Sequence, residues 1–128
     1  SFLLKTPSQS IYIGGDSGYD THYAEIGKRF TGIDLAILEN GQYDKDWKYI
    51  HMMPEELVIA ANDLGAKKVF PVHNSKYALA KHLWKTPMED VLKDFANDSL
   101  YILTPMIGET VRLKDSTHIF NKWWEAID

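Results

Sequence analysis

The chain contains no cysteine. Disulfides and thiolate metal sites are therefore both excluded, and any bound metal must rest on His, Asp or Glu. A basic patch is missing too: 14 Lys and Arg stand against 18 Asp and Glu, a net charge of −4. Nucleic acid and anionic lipid call for the opposite balance, so neither is an expected partner. No apolar run approaches the roughly 20 residues that span a bilayer, and Ser1 to Lys5 is too short for a signal-peptide core. The expectation is a soluble, cytoplasmic chain. Also absent are a glycine-rich phosphate cradle with its lysine, a nucleophile elbow and a helical His-Glu-x-x-His, so those reaction classes lose their usual anchor.

What is present suits one globular domain over residues 1–128. The chain is 45% hydrophobic and 12% aromatic over 128 residues, enough for a core but not for two. It begins without Met and inside a strand-like stretch, which reads as part of a longer polypeptide.

Phe2 to Lys5 and Ile11 to Ile13 read as strands joined by a turn at Pro7-Ser8-Gln9, and the second runs into Gly14-Gly15-Asp16-Ser17-Gly18. Tyr23, Ile26 and Phe30 recur at helical spacing, and Ile33 to Leu38 is a compact apolar run ended by Glu39-Asn40-Gly41. Gln42 to Met52 has no clean period and reads as a loop. Pro54-Glu55-Glu56 opens a helix to Leu64, with proline in the first turn and acids at the positive end of the dipole. Val69 to Val72 is a strand ending at His73, and Met88 to Phe95 a further helix. Leu100 to Leu103 and Thr110 to Leu113 read as strands. Ser116 to Ile127 reads as a helix with Phe120, Trp123, Trp124 and Ile127 on its apolar face.

Strands alternating with helices predict a mixed α/β layer architecture. Asp16, Glu39 to Gly41, and His73 each follow a strand, so parallel strands would gather all three polar tips at one sheet edge, where α/β proteins place their sites. Each residue also has a plainer reading. Asp16 in a glycine-rich loop could cap local N–H groups, His73 could be tied to a neighbouring carbonyl, and His51 could be a loop residue near a helix cap. His22, His82 and His118 read as surface residues, with His82 of further interest because it shares the loop after the His73 strand.

The string Ile11-Tyr12-Ile13-Gly14-Gly15-Asp16-Ser17-Gly18-Tyr19, with His22 to Phe30 and Ile33 to Ala36, resembles one branch of the metallo-β-lactamase superfamily. That branch holds the N-acylphosphatidylethanolamine-hydrolysing phospholipase D and its bacterial relatives, with ascorbate-phosphate lactonases more distant. The likeness continues through Asn40-Gly41-Gln42-Tyr43, His51 to Glu56, Leu64 to Lys68 and Val72-His73.

The resemblance implies the C-terminal half of an αββα sandwich, a mixed sheet with helices on one face. It implies that Asp16 bridges two metal ions, usually zinc with manganese or iron as alternatives, and that His73 binds the second. His51 would contact substrate or support the site, which makes Asp16 and His51 the expected catalytic pair. Asn40, Gly41 and Tyr43 would form the pocket rim, and with His82 they are the expected substrate contacts. Two cations about 3.5 to 4 Å apart supply a nucleophile and stabilise charge at a phosphoryl or acyl centre. The implied substrates are small-molecule or lipid-like esters, phosphodiesters or phosphate-bearing lactones.

The family's His-x-His-x-Asp-His cluster is absent, Ser17 stands where the family has Thr, and His73-Asn74-Ser75-Lys76 replaces a His-Trp-Gly-Thr-like stretch. Two ligands fall short of the three that a catalytic zinc takes from protein. The expectation is an intact hydrolase whose C-terminal part, alone, holds little or no zinc and is inactive, and which self-associates as a homodimer to cover an apolar sheet face. The alternative is a non-catalytic structural or binding module with a degenerate half-site.

Overall fold

Residues 1–127 are described by a computed structural model. Five strands make one mixed sheet in sequential order: β1 (Phe2–Lys5), β2 (Ser10–Ile13), β3 (Leu35–Glu39), β4 (Lys68–Val72) and β5 (Tyr101–Ile102). β1 and β2 form an antiparallel hairpin, while β2, β3, β4 and β5 run parallel. Parallel neighbours need crossover connections, supplied by α1 (His22–Arg29), α2 (Pro54–Asp63) and α3 (Thr86–Asp94). Right-handed crossovers taken in one direction along the sheet put every helix on the same side, and the helices do pack as neighbours, α1 on α2 and α2 on α3.

Alternation along the strands decides what each face buries. Tyr12, Ala36, Leu38 and Val69 point toward the helices and meet Tyr23, Leu57, Ala60, Ala61 and Val91 in one core. On α2 the buried residues are Leu57, Ala60 and Ala61, the i, i+3, i+4 stripe of an amphipathic helix. Pro54 opens that helix, and the Glu56 carboxylate accepts from the Met53 N–H at 2.9 Å, satisfying an amide left free at the terminus.

The other face carries none of the three α-helices, and the C-terminal segment lies along its β4 end, where Lys68 Nζ donates to the Asp115 carbonyl and Trp123 lines a cavity with Phe70. Register places Phe2 opposite Ile13, Ile13 opposite Ile37 and Ile37 opposite Phe70, an apolar strip across four strands. Its outer end is open: Phe2 is 76% exposed and Leu4, on the same face, 52%.

The α/β architecture and helix placement agree with the sequence reading, but the C-terminal part does not. Thr110 to Leu113, expected as a strand, is irregular, and Ser116 to Ile127, expected as a helix, contains only a short 3-10 turn at Trp123–Ala126. The apolar spacing was helical, yet Thr117, His118, Ile119, Phe120, Trp123 and Trp124 are all middling helix formers, and short helices depend on packing. Of the expected apolar face only Trp124 is buried, so nothing holds a helix there.

Replacing Leu57, which is 1% exposed, with Ala should lower stability by about 2–5 kcal/mol. Ile59→Ala on the same helix, at a position 46% exposed, should cost less than about 1 kcal/mol. Urea denaturation of the two variants checks the pair, and equal losses would contradict this assignment of the helix faces.

Candidate functional site

Because β2, β3 and β4 are parallel and in register, their C-terminal ends stop level. Ile13, Ile37 and Phe70 face one another across the three strands. Asp16 lies three residues beyond Ile13, Glu39 two beyond Ile37 and His73 three beyond Phe70. Backbone pairing continues past the strands, with Gly14 N–H donating to Ile37 O at 2.9 Å and Asn40 N–H to Val72 O at 2.7 Å, so the loops leave the sheet from fixed positions.

One buried carboxylate organises this edge. Glu39 is 1% exposed. Its Oε1 accepts from the N–H groups of Ser17 at 3.2 Å and Met52 at 3.0 Å, and its Oε2 lies 2.5 Å from His51 Nδ1. The loop after β2 and the segment leading into α2 are thereby both fastened to the end of β3. Two glycines permit the close approach. A Cβ on Gly18 would lie 2.3 Å from the Lys48 carbonyl oxygen, and one on Gly41 2.2 Å from that of His73, so neither position accepts a side chain. The aromatic pair Tyr19 and Tyr23, stacked at 6.0 Å, adds a second anchor to the Asp16 loop, with the Tyr19 hydroxyl donating to Asp63 at 2.7 Å.

Four side chains converge. Asp16, Glu39, His51 and His73 each offer a donor atom, all within 4.8 Å of one another. His73 Nδ1 is 3.9 Å from Asp16 Oδ1, and its ring stacks on that of His51 with centroids 5.3 Å apart. Burial grades through the cluster: the Asp16 side chain is 56% exposed, His73 37%, His51 13% and Glu39 1%. His73 has φ +66° and Ser75 φ +65°. Left-handed backbone at residues other than glycine costs roughly 1–3 kcal/mol and gathers at functional sites.

Carboxylate and imidazole donors suit zinc, manganese or iron, and metal–donor distances near 2.0–2.2 Å require donors within about 4.4 Å of one another. The cluster therefore fits one ion after closing by a few tenths of an ångström. Glu39 is poorly placed to join, since three donors already occupy its oxygens; Asp16 and His73, at the open end, are the available ligands. Burial pushes the Glu39 carboxyl up, with the hydrogen bonds from His51, Met52 and Ser17 pulling it back only in part.

The other sequence-derived residues lie outside the cluster. Asn40 is buried and donates from Nδ2 to the Pro87 carbonyl at 2.8 Å. The Tyr43 hydroxyl donates to Asp90 at 2.7 Å, and burial together with that carboxylate holds it well above the usual phenol range. His82 packs on the Tyr43 ring, accepts the Gln42 N–H at Nε2 (3.0 Å) and has Nδ1 2.9 Å from the Leu83 carbonyl oxygen. Gln42, which sequence reasoning did not single out, is buried with φ +62°. Its side-chain oxygen accepts from Leu79 and Ala80, and its amide donates to Tyr77 O, so it holds the loop after β4. Nothing in the string Asn40-Gly41-Gln42-Tyr43 distinguishes such a clamp from an ordinary polar loop. Glu39 did carry a signal, as the one acid closing an apolar strand beside the Asp16 and His73 strands.

Two small cavities adjoin His73 and Asn74. One, of about 220 Å³, is also lined by Val72, Leu103 and Trp123. The other, of about 210 Å³, is bounded by Gln42, Lys76 and Tyr77.

Comparison with known proteins identifies the family. The model of the beta-lactamase superfamily domain matches residues 1–74, and the chain belongs to that family. It is 62% identical over 73 residues to the outer membrane protein RomA of Klebsiella pneumoniae, covering 57% of this chain and 55% of that protein. It is 32% identical over 117 residues to the mitochondrial N-acyl-phosphatidylethanolamine-hydrolyzing phospholipase D of Saccharomyces cerevisiae, covering 86% of this chain and 25% of that protein. Among solved structures, a metallo hydrolase from the archaeon Ignicoccus hospitalis superposes with TM-score 0.63 at 20% identity, over 85% of this chain and 43% of the other, a likeness of fold. The matched segment thus spans 55% of the first relative's length and 25% of the second's. The metallo-β-lactamase fold expected from the sequence is the fold observed.

A carboxyl raised by burial contributes its full stability below its ordinary pKa of 4.5 and loses it as pH rises through the folded-state value. Wild-type stability relative to Glu39→Gln should therefore decline as pH rises from about 4.5 upward. Urea denaturation of both proteins across that range tests it, and a wild-type advantage that grows with pH would contradict the assigned direction.

Proposed function

We propose that this chain is the C-terminal part of a metal-dependent hydrolase, to whose metal site it contributes Asp16 and His73. The observation that carries the reading is the convergence of those two side chains, 3.9 Å apart, at the C-terminal edge of a parallel sheet beside a histidine braced by a buried carboxylate. That edge is where open α/β sheets bind ligands.

A divalent ion pair, when bound, would supply a nucleophile and polarise a phosphoryl or acyl oxygen. Asp16, at the mouth, offers a carboxylate that can bridge two cations, and His73 offers an imidazole held by a strained but fixed backbone. His51 sits deeper and would meet the substrate. Asn40, Tyr43 and His82 shape the wall: their polar groups hold α3 and the loop after β4 in place, and substrate would reach them at most by contact. A reacting ester, phosphodiester or phosphate-bearing lactone fits the cavities beside His73 only in part, so the remaining substrate surface would belong to the rest of the protein. Zinc is the favoured ion on donor chemistry, and manganese and iron take the same donors.

One carboxylate and one imidazole are too few for tight binding of two ions, so the 128-residue chain alone should carry no stoichiometric zinc pair. The apolar strip from Phe2 to Phe70 would be covered by the other half of the fold in the intact protein, and by a second copy when the chain stands alone.

In the intact protein, Asp16→Asn should lower both bound metal and hydrolysis of a phosphodiester or lactone, the latter on the order of 100-fold or more, about 2.7 kcal/mol of transition-state stabilisation. Metal analysis and steady-state kinetics read the two quantities, and an unchanged pair of values would remove the assigned role. The isolated chain should sediment as a homodimer at micromolar concentration, whereas a clean monomer would show that the strip needs no cover.

A further inference from the structure

We infer that Glu39 is a positioning residue that fixes the tautomer of His51, holding the proton on Nδ1 and presenting a bare Nε2 to the site. This rests on the reading of the edge as a hydrolytic site and assigns to Glu39 a task that composition and resemblance left open.

The Glu39 carboxylate is buried, and its two oxygens have different work. Oε1 takes two backbone N–H donors, Ser17 at 3.2 Å and Met52 at 3.0 Å, while Oε2 faces His51 Nδ1 at 2.5 Å. Above its folded-state pKa the Glu39 carboxylate has no proton to give, so the short contact there requires the proton on Nδ1. The ring is pinned from two further sides, by the edge of Trp47 with centroids 6.2 Å apart and by the His73 ring at 5.3 Å. With Nδ1 committed to Glu39, Nε2 is the nitrogen available to a substrate or water molecule, and as a lone pair it accepts. Neutral imidazole in water carries its proton mainly on Nε2, so the site reverses the ordinary preference. A carboxylate setting the tautomer of a working histidine is a recurring way of aiming the second nitrogen.

The unequal duties of the two oxygens give a sharp test. In Glu39→Gln the single amide oxygen is claimed at the Oε1 position by two backbone N–H groups, which leaves the NH₂ facing His51. Nδ1 must then accept, and the proton moves to Nε2. The backbone ties survive, so a role confined to holding the loops together would leave the tautomer unchanged.

Long-range proton–nitrogen NMR of the neutral His51 ring, recorded at alkaline pH on the 128-residue chain, reads the tautomer directly. The wild type should favour Nδ1–H by at least about tenfold, as expected for a hydrogen bond to a charged group, and E39Q should favour Nε2–H. A wild-type ring protonated on Nε2, or an E39Q ring still protonated on Nδ1, overturns the assignment. The wild-type spectrum decides by itself should E39Q not fold. Failure of the hydrolase reading would appear separately, as an intact protein that turns over no ester or phosphodiester while the His51 tautomer stays as assigned.

Discussion

The parallel alignment of β2, β3 and β4 is the constraint on which the site depends. Parallel strands must be joined by crossovers, the crossovers bring three helices to one face, and the C-terminal ends of the strands are thereby left together at one edge. Asp16, Glu39 and His73 are separated by 23 and 34 residues in sequence, yet the register of Ile13, Ile37 and Phe70 makes them neighbours. Sheet hydrogen bonds set the strand ends level, before any contact among the polar groups is counted. Asp16 and His73 are left half-open and loosely paired, 3.9 Å apart.

Glu39 converts this alignment into a rigid site. A buried carboxylate is costly to desolvate unless its oxygens are satisfied, and here two backbone amides and an imidazole do so from two separate chain segments. The raised carboxyl shows that the compensation is incomplete. The same residue that loses stability by burial therefore fastens the loop bearing Asp16 and the segment bearing His51 to a common point. Gly18 and Gly41 serve that arrangement by having no side chain where backbone oxygens lie within 2.3 Å of a would-be Cβ.

Much of this was legible in the sequence because it follows from periodicity and strand ends. The apolar run before Glu39, the Pro54-Glu55-Glu56 helix start and the strand ending at His73 all encode local preferences that the tertiary structure respects. The roles of Glu39 and Gln42 were not legible, since both are acts of long-range contact: Glu39 reaches residues 12 or more positions away, and Gln42 clamps a loop more than 30 residues distant. The C-terminal segment failed for the converse reason. Phe120, Trp123, Trp124 and Ile127 have helical spacing, but spacing specifies a helix only where a partner surface buries the stripe, and only Trp124 finds one. The outer end of the apolar strip, at Phe2 and Leu4, is the mirror of that case, exposed among the described residues, and it agrees with a segment that spans about half or less of its relatives' length.

The central claim is that Asp16 and His73 bind the same metal site. Anomalous diffraction from zinc-loaded crystals of the intact protein tests it most directly. The account predicts a zinc peak at coordination distance, near 2.0–2.2 Å, from a carboxylate oxygen of Asp16 and from a ring nitrogen of His73. Zinc bound elsewhere, with both of those side chains left without a metal contact, would contradict it.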